Sequence, residues 1–301
     1  MFEQIVVGVD GRDGGRNAIA LARRLLARDG ELMLAHIYAG DPRVRRSGRP
    51  VYEPSKRERT LELLDGARAE TGVQARLAWR ASSSVGRGLH ELCEVVGADL
   101  LVVGASRRGL LGRVLVGDDT RAALNGARCD VAIAPPGFMN GTVEIQQIGV
   151  GYDGSPESKH ALEVARELAA EVGAKVSAFQ AASFSSTSAG AAFLGLSDAG
   201  DAVVERAQNR IAAWGGVEPH ATYGRPAEEL AVYSASPDLL VVGSGCHRPK
   251  RRLIHCSISQ QLARTARCPL LVLSCAVRGT ETPKAGRDDR GTAVAVKELP
   301  R

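Results

Sequence analysis

Along the chain, short unbroken apolar runs alternate with longer stretches in which apolar positions recur at helical spacing. The first pattern is that of a strand buried on both faces, the second that of a helix with one buried side. Their alternation predicts βαβ units and a parallel sheet. Strands are expected near 4–10, 31–38, 74–79, 100–104 and 131–134, with helices near 14–28, 57–70, 86–96 and 118–126. A second set follows, with strands near 147–153, 175–181, 218–223, 239–243 and 270–273 and helices near 157–172, 199–213, 226–235 and 257–266.

The second set is a copy of the first. "IVVGVDGRDGGRNAIALARRL" from residue 5 returns as "IGVGYDGSPESKHALEVAREL" from residue 148, which sets Asp10 against Asp153. Further on, "ADLLVVGAS" returns as "PDLLVVGSG" and "GARCDVAIA" as "TARCPLLVL", setting Gly104 against Gly243 and Cys129 against Cys268. The fold class is therefore α/β, two tandem doubly wound domains, each built on a five-stranded parallel sheet. The first domain is expected over 1–138 and the second over 144–275. A linker at 139–143 lies within "PPGFMNGTVEIQQ", where prolines and glycines end a strand. Residues 276–301 carry neither periodicity and are expected to be a disordered tail. The segments 41–56 and 183–200 also resist regular structure, and each follows the second strand of its copy, at an edge where such folds place ligand-covering loops.

Composition changes this picture little. With 301 residues, 44% of them hydrophobic, there is ample material for two cores. The net charge of +5 sits in an arginine-rich chain with only 4% aromatic residues, so the stacking platforms of a single-strand nucleic-acid binder are missing and nucleic acid is an unlikely partner. The sequence shows no run long enough to cross a bilayer, and "MFEQIVVGVD" enters a strand without a basic leader, so a cytoplasmic protein with no membrane partner is expected. Six scattered cysteines fit reduced thiols better than a disulfide framework. Cys129 and Cys268, each just before a last strand, are read as core residues.

In a doubly wound sheet the ligand crevice opens at the carboxyl ends of two neighbouring strands whose connections leave in opposite directions. The first strands end in Asp10 and Asp153, each followed by glycine. The fourth end in Gly104 and Gly243, each followed by a loop whose amides can face an anion. A carboxylate there can accept from ribose hydroxyls or hold magnesium; it can equally cap a helix or stabilise a turn.

Both halves resemble the universal stress protein (UspA) family. The residues that carry the likeness are "VVGVDG" and "GVGYDGSPES", "ADLLVVGAS" and "PDLLVVGSG", "GRPAEEL" at 224–230, and "ARCDVAIAP" and "ARCPLLVLS". The resemblance implies a Rossmann-like, adenine nucleotide alpha hydrolase-like fold and a non-enzymatic stress-response regulator. It also implies pseudo-twofold packing of the two domains through "VAIAP" and "LLVLS", with a homodimer as a further form. Nucleotide-binding members are similar in carrying G-x-x-G-x9-G-[ST] after strand four, which would hold ATP, with magnesium, at the β1/β4 crevice.

Laid on the first copy, Gly104 and Gly117 match that motif, but Arg107 replaces the second glycine and Asp118 the hydroxyl. Arg107 adds a phosphate donor, and Gly109 can supply flexibility nearby. Asp118 favours the helix start and repels phosphate. In the second copy "GSGCHRPKRRLIHCS" keeps Gly243 and Ser257, places Cys246 and Cys256 at both inner glycines, and adds Arg248 with its basic neighbours.

Cys246, His247, His255 and Cys256 match no zinc spacing, and the cations between them repel a metal, so no metal site is expected. No Ser-His-Asp order, HExxH or P-loop GxxxxGK[ST] is present, and Asp10 and Asp153 are too far apart in sequence to suggest one active site, so no catalytic residue is assigned and turnover is not expected. Two other readings stay open: a nucleotide-free interaction scaffold with degenerate sites, and a thiol-based sensor using Cys246 or Cys256 beside cations and a helix start.

Overall fold

A computed structural model of the chain describes residues 1–39, 54–105, 118–141, 144–182, 197–244, 258–274 and 295–297. It divides into two compact units, Phe2–Gly141 with Ser274–Arg301, and Thr142–Leu273 with Met1. In the first unit the chain runs β1 (Phe2–Gly8), α1 (Asp13–Leu25), β2 (Leu26–Ala39), α2 (Pro54–Thr71), β3 (Arg76–Ser82), α3 (Val85–Val96), β4 (Leu100–Gly104), α4 (Asp118–Leu124) and β5 (Asp130–Ala134). Its strands lie side by side as β3-β2-β1-β4-β5, all parallel.

The second unit repeats the plan with β6 (Gln147–Gly151), α5 (Pro156–Val172), β7 (Lys175–Ala182), α6 (Ser197–Ala212), β8 (Val217–Tyr223), α7 (Pro226–Tyr233), β9 (Leu239–Gly243), α8 (Ile258–Thr265) and β10 (Leu270–Leu273). Its parallel order is β10-β9-β6-β7-β8. The doubly wound α/β architecture expected from the hydrophobic pattern is thus present twice.

The β4 and β9 strands are buried from their first leucine to their last valine, which is why their sequence shows no alternation. Ile19, Leu21 and Leu25 of α1, Leu64 of α2 and Leu92 of α3 are fully buried. Each contributes about 1.5–3 kcal/mol relative to exposure. The helix ends follow local chemistry. Ser155 caps α5 by accepting from the Ser158 amide at 3.2 Å, Pro156 opens its first turn, and Gly173 closes it in the left-handed conformation.

Two elements differ from expectation. Helix α1 stops at Leu25 rather than running on to residue 28, because Leu26 is already extended and pairs with Phe2, ahead of a register shift between Phe2 and Gln4. The tail expected to lack regular structure holds β11 (Ala295–Lys297), which pairs antiparallel with Leu77–Trp79 of β3. The free edge of β3 offers unpaired backbone groups, and those three residues satisfy them. The rest of the tail, and most of the irregular segments 41–56 and 183–200, lie outside the described residues.

One repeated device fixes the register of the central strands. The Asp99 carboxylate, just before β4, accepts from the amides of Glu3 at 2.8 Å and Gln4 at 3.1 Å on β1. Asp238, just before β9, accepts from Gln146 and Gln147, both at 2.9 Å. Charge-assisted bonds of this kind contribute about 1.5–3 kcal/mol. Asp99→Ala is therefore expected to lower the stability of the first unit by that amount, with Asp99→Asn intermediate. Hydrogen exchange of β1 peptides measures this, and unchanged protection would remove the clamp from the account.

Candidate functional site

In the first unit the strand order reverses between β1 and β4, and a cleft of about 750 Å3 opens there. Its walls include Asp10, Arg12, Asp13, Arg16 and Asn17, from the β1–α1 turn and the first turns of α1, with Ala105 after β4 and Pro136, Gly137, Met139 and Asn140 after β5. The volume is within the roughly 300–1,000 Å3 of small-molecule clefts.

The turn is built by Asp10 and Gly11. One Asp10 carboxylate oxygen accepts from the Arg12 amide at 3.0 Å, and Gly11 takes φ +75°, a conformation that a side chain would strain. In the repeat, Asp153 accepts from the Ser155 amide at 2.9 Å and Gly154 has φ +84°. Both aspartates are thus turn residues in fact, and both are exposed at the mouths of clefts.

Gly104 and Gly243 also have a packing role. A Cβ on Gly104 would lie 2.0 Å from the Gly14 carbonyl oxygen, so the start of α1 sits directly on the end of β4. A Cβ on Gly243 would meet Glu157 of α5 at 2.8 Å. The buried Thr120 hydroxyl of α4 donates to the Gly104 carbonyl at 3.2 Å and ties the return helix to the same point. Asp118 is the first residue of α4. Arg107, Gly109, Gly117, Arg248 and Ser257, with Cys246 and Cys256, lie outside the described residues.

Arg12, Arg16 and Asn17 were not singled out by motif. Arg16 donates to Glu70 at 2.7 Å and to Asp13 at 3.0 Å. The hydrogen bond and charge of Glu70 hold the guanidinium above its ordinary range, and Arg16 in turn holds the Glu70 carboxyl below its own. Asn17 is buried, and its side-chain oxygen accepts from the Met139 amide at 2.8 Å. It thereby fixes the short 3-10 turn Phe138–Asn140, which also stacks Phe138 4.4 Å under the Arg24 guanidinium. An asparagine inside the apolar stripe "NAIALA" is the sequence signal that would have found it.

The second cleft differs. It encloses about 340 Å3 between Asp153, Ser155 and Glu157 on one side and Phe179, Leu230, Val242 and Ile258 on the other. Glu157 occupies the alignment position of Gly14, so a carboxylate takes the place of bare backbone, and no arginine lines the described walls. Among the described residues no group of three or more His, Cys, Asp or Glu is placed to hold a metal ion, and no helix is long and apolar enough to cross a membrane.

The two units are thus doubly wound α/β domains with crevices at their switch points, a Rossmann-like architecture. The universal stress protein family model matches residues 1–135 and again 144–274, and the chain belongs to that family. A universal stress protein of Mycobacterium tuberculosis is 30% identical over 186 residues, 58% of this chain and 61% of that relative, so the match spans about three-fifths of the relative's length. The crystal structure of a universal stress protein from Archaeoglobus fulgidus covers 90% of this chain and 98% of its own at 16% identity, with a TM-score of 0.63. A solved universal stress protein in complex with cAMP is 25% identical, covers 45% of this chain and 98% of its own, and has a TM-score of 0.32.

Proposed function

We propose that the first unit binds an adenine nucleotide, ATP with magnesium, in the β1/β4 cleft, and that the chain acts as a nucleotide-responsive regulator rather than an enzyme. The observation that carries this reading is the 750 Å3 cleft at the strand-order reversal, lined by the carboxylates of Asp10 and Asp13 and by two arginines, Arg12 and Arg16. The residues present fit the group. Asp10 keeps one carboxylate oxygen beyond the turn bond to face a ribose or a hydrated magnesium, and Arg12 supplies an exposed phosphate donor. Arg16 is committed to Glu70 and Asp13 and adds positive potential at the wall. The second cleft, smaller and bearing Glu157 without an arginine, is the weaker phosphate site.

Thermal unfolding tests this. Saturating Mg-ATP is expected to raise stability by about 2.7 kcal/mol at a hundredfold excess over the dissociation constant, and nucleotide released on denaturing the purified chain would identify the ligand. Asp10→Asn preserves the turn, since an amide oxygen accepts the Arg12 amide equally well. It removes the charge, so the shift is expected to shrink while the unliganded stability stays within about 0.5 kcal/mol of the parent. No shift at millimolar Mg-ATP would overturn the proposal and favour a nucleotide-free scaffold.

A further inference from the structure

The tail strand β11 covers one edge of the first sheet, and the equivalent edge of the second sheet has no such cover among the described residues. β3 pairs with β2 on one side and with Ala295–Lys297 on the other, whereas β8 pairs with β7 alone. The two edges differ in sequence to match. Across the first sheet Val7 faces Leu34, and Leu34 faces Leu77; Val150, Ala178 and Pro219 take those places in the second. Val7 and Val150 are one position of the repeat, so Pro219 is the counterpart of Leu77, the residue that pairs with Lys297.

A proline has no N–H to offer a further strand, so β8 is a blunted edge. Only Val217 of β8 is buried. By contrast β3, "RLAWRAS", has no proline in its seven residues and is buried without interruption from Leu77 to Arg80. Left open, it would be a long apolar edge with unblocked backbone donors and acceptors, the kind that recruits another chain. With β11 in place the outermost strand is three residues long, carries Lys297 and is followed in sequence by Pro300. Shortness, a lysine and a proline are all features that stop strand addition.

We propose that β11 is a removable cover over an interaction edge, and that the partner of the uncovered edge is β3 of a second copy of this chain. This does not rest on the nucleotide reading. Three residues of ladder hold the cover, and residues 275–294 tether it to Ser274 at the end of the second repeat. A strand on a flexible tether competes as though present at roughly millimolar concentration. The covered form therefore prevails at micromolar protein, and the edge opens when the ladder is weakened. Antiparallel pairing of two β3 strands is isologous, so the contact closes after two chains. A register centred on Trp79 sets the two tryptophans opposite each other and Arg76 opposite Ser82, which keeps the arginines apart.

The full chain carrying Ala295→Pro and Val296→Pro tests this. Adjacent N–H groups of a strand point to opposite sides, so the pair removes whichever one faces β3. Sedimentation of the variant at micromolar concentration is expected to show a species of twice the parent's mass. Hydrogen exchange should find β3 protected in that species and unprotected on dilution, with β8 unchanged. A synthetic peptide of residues 291–301 in excess should return the variant to the parent's mass. A variant that keeps the parent's mass, or an association that the peptide does not reverse, would overturn the proposal. So would β3 amides that exchange as fast in the parent as in the diluted variant, since the cover would then not be in place.

Discussion

Gly104→Ala is expected to destabilise the first unit by about 3 kcal/mol or more, although it adds only one methyl group. The added Cβ would lie 2.0 Å from the oxygen and 2.4 Å from the carbonyl carbon of Gly14, both backbone atoms at the start of α1. No rotamer change relieves such a contact; the helix start must move. Replacing glycine by alanine in a strand ordinarily gains about 0.5–1 kcal/mol, too little to offset the overlap. Gly243→Ala meets Glu157 at 2.8 Å and is expected to cost less. Hydrogen exchange of β4 and β9 peptides separates the two units, whose unfolding need not be one transition. Equal protection in the two variants would show that α1 yields freely. Because Arg12 and Asp13 move with the helix start, Gly104→Ala should also abolish nucleotide binding.

That glycine shows how much of the molecule could be read before its structure was seen. Strand apolarity and helical spacing placed the parallel strands and the helices within a few residues, because burial on both faces leaves no polar alternation to mislead. Motif reading put Gly104 at the end of the fourth strand, and β4 ends there. Its contact with Gly14 could not be read, since the two are 90 positions apart and meet only through the packing of α1 on β4. Asp10 was legible as a residue that either builds a turn or meets a ligand, and the structure shows the turn bond. Asn17 and the Asp99 clamp were missed for a similar reason, their partners being backbone amides on other elements. Of the two cysteines read as core residues, Cys268 is buried and Cys129 half-buried.

On the proposed reading, in which the first cleft takes the phosphates of ATP, the residue at the start of α4 sets the charge they would meet. Asp118 is the first residue of that helix, at the hydroxyl position of the G-x-x-G-x9-G-[ST] motif and where the helix dipole would otherwise favour an anion. A carboxylate near contact distance from a phosphate costs about 1 kcal/mol at the dielectric of water and about 4 kcal/mol at that of a protein surface. Asp118→Ser is therefore expected to tighten ATP binding by about fivefold or more. The gain should be larger at low ionic strength, where repulsion between exposed charges is less screened. At the first helical position serine gives up only the carboxylate's interaction with the helix dipole, so the unliganded stability should fall by no more than about 0.3–1 kcal/mol. If magnesium instead bridges Asp118 to the phosphates, the sign reverses: the serine variant then binds Mg-ATP more weakly and metal-free ATP more tightly. Isothermal titration of the two chains with and without magnesium reads both cases. Equal affinities in all four titrations would show that the charge at the start of α4 does not reach the ligand, and would move the phosphates out of the β1/β4 cleft.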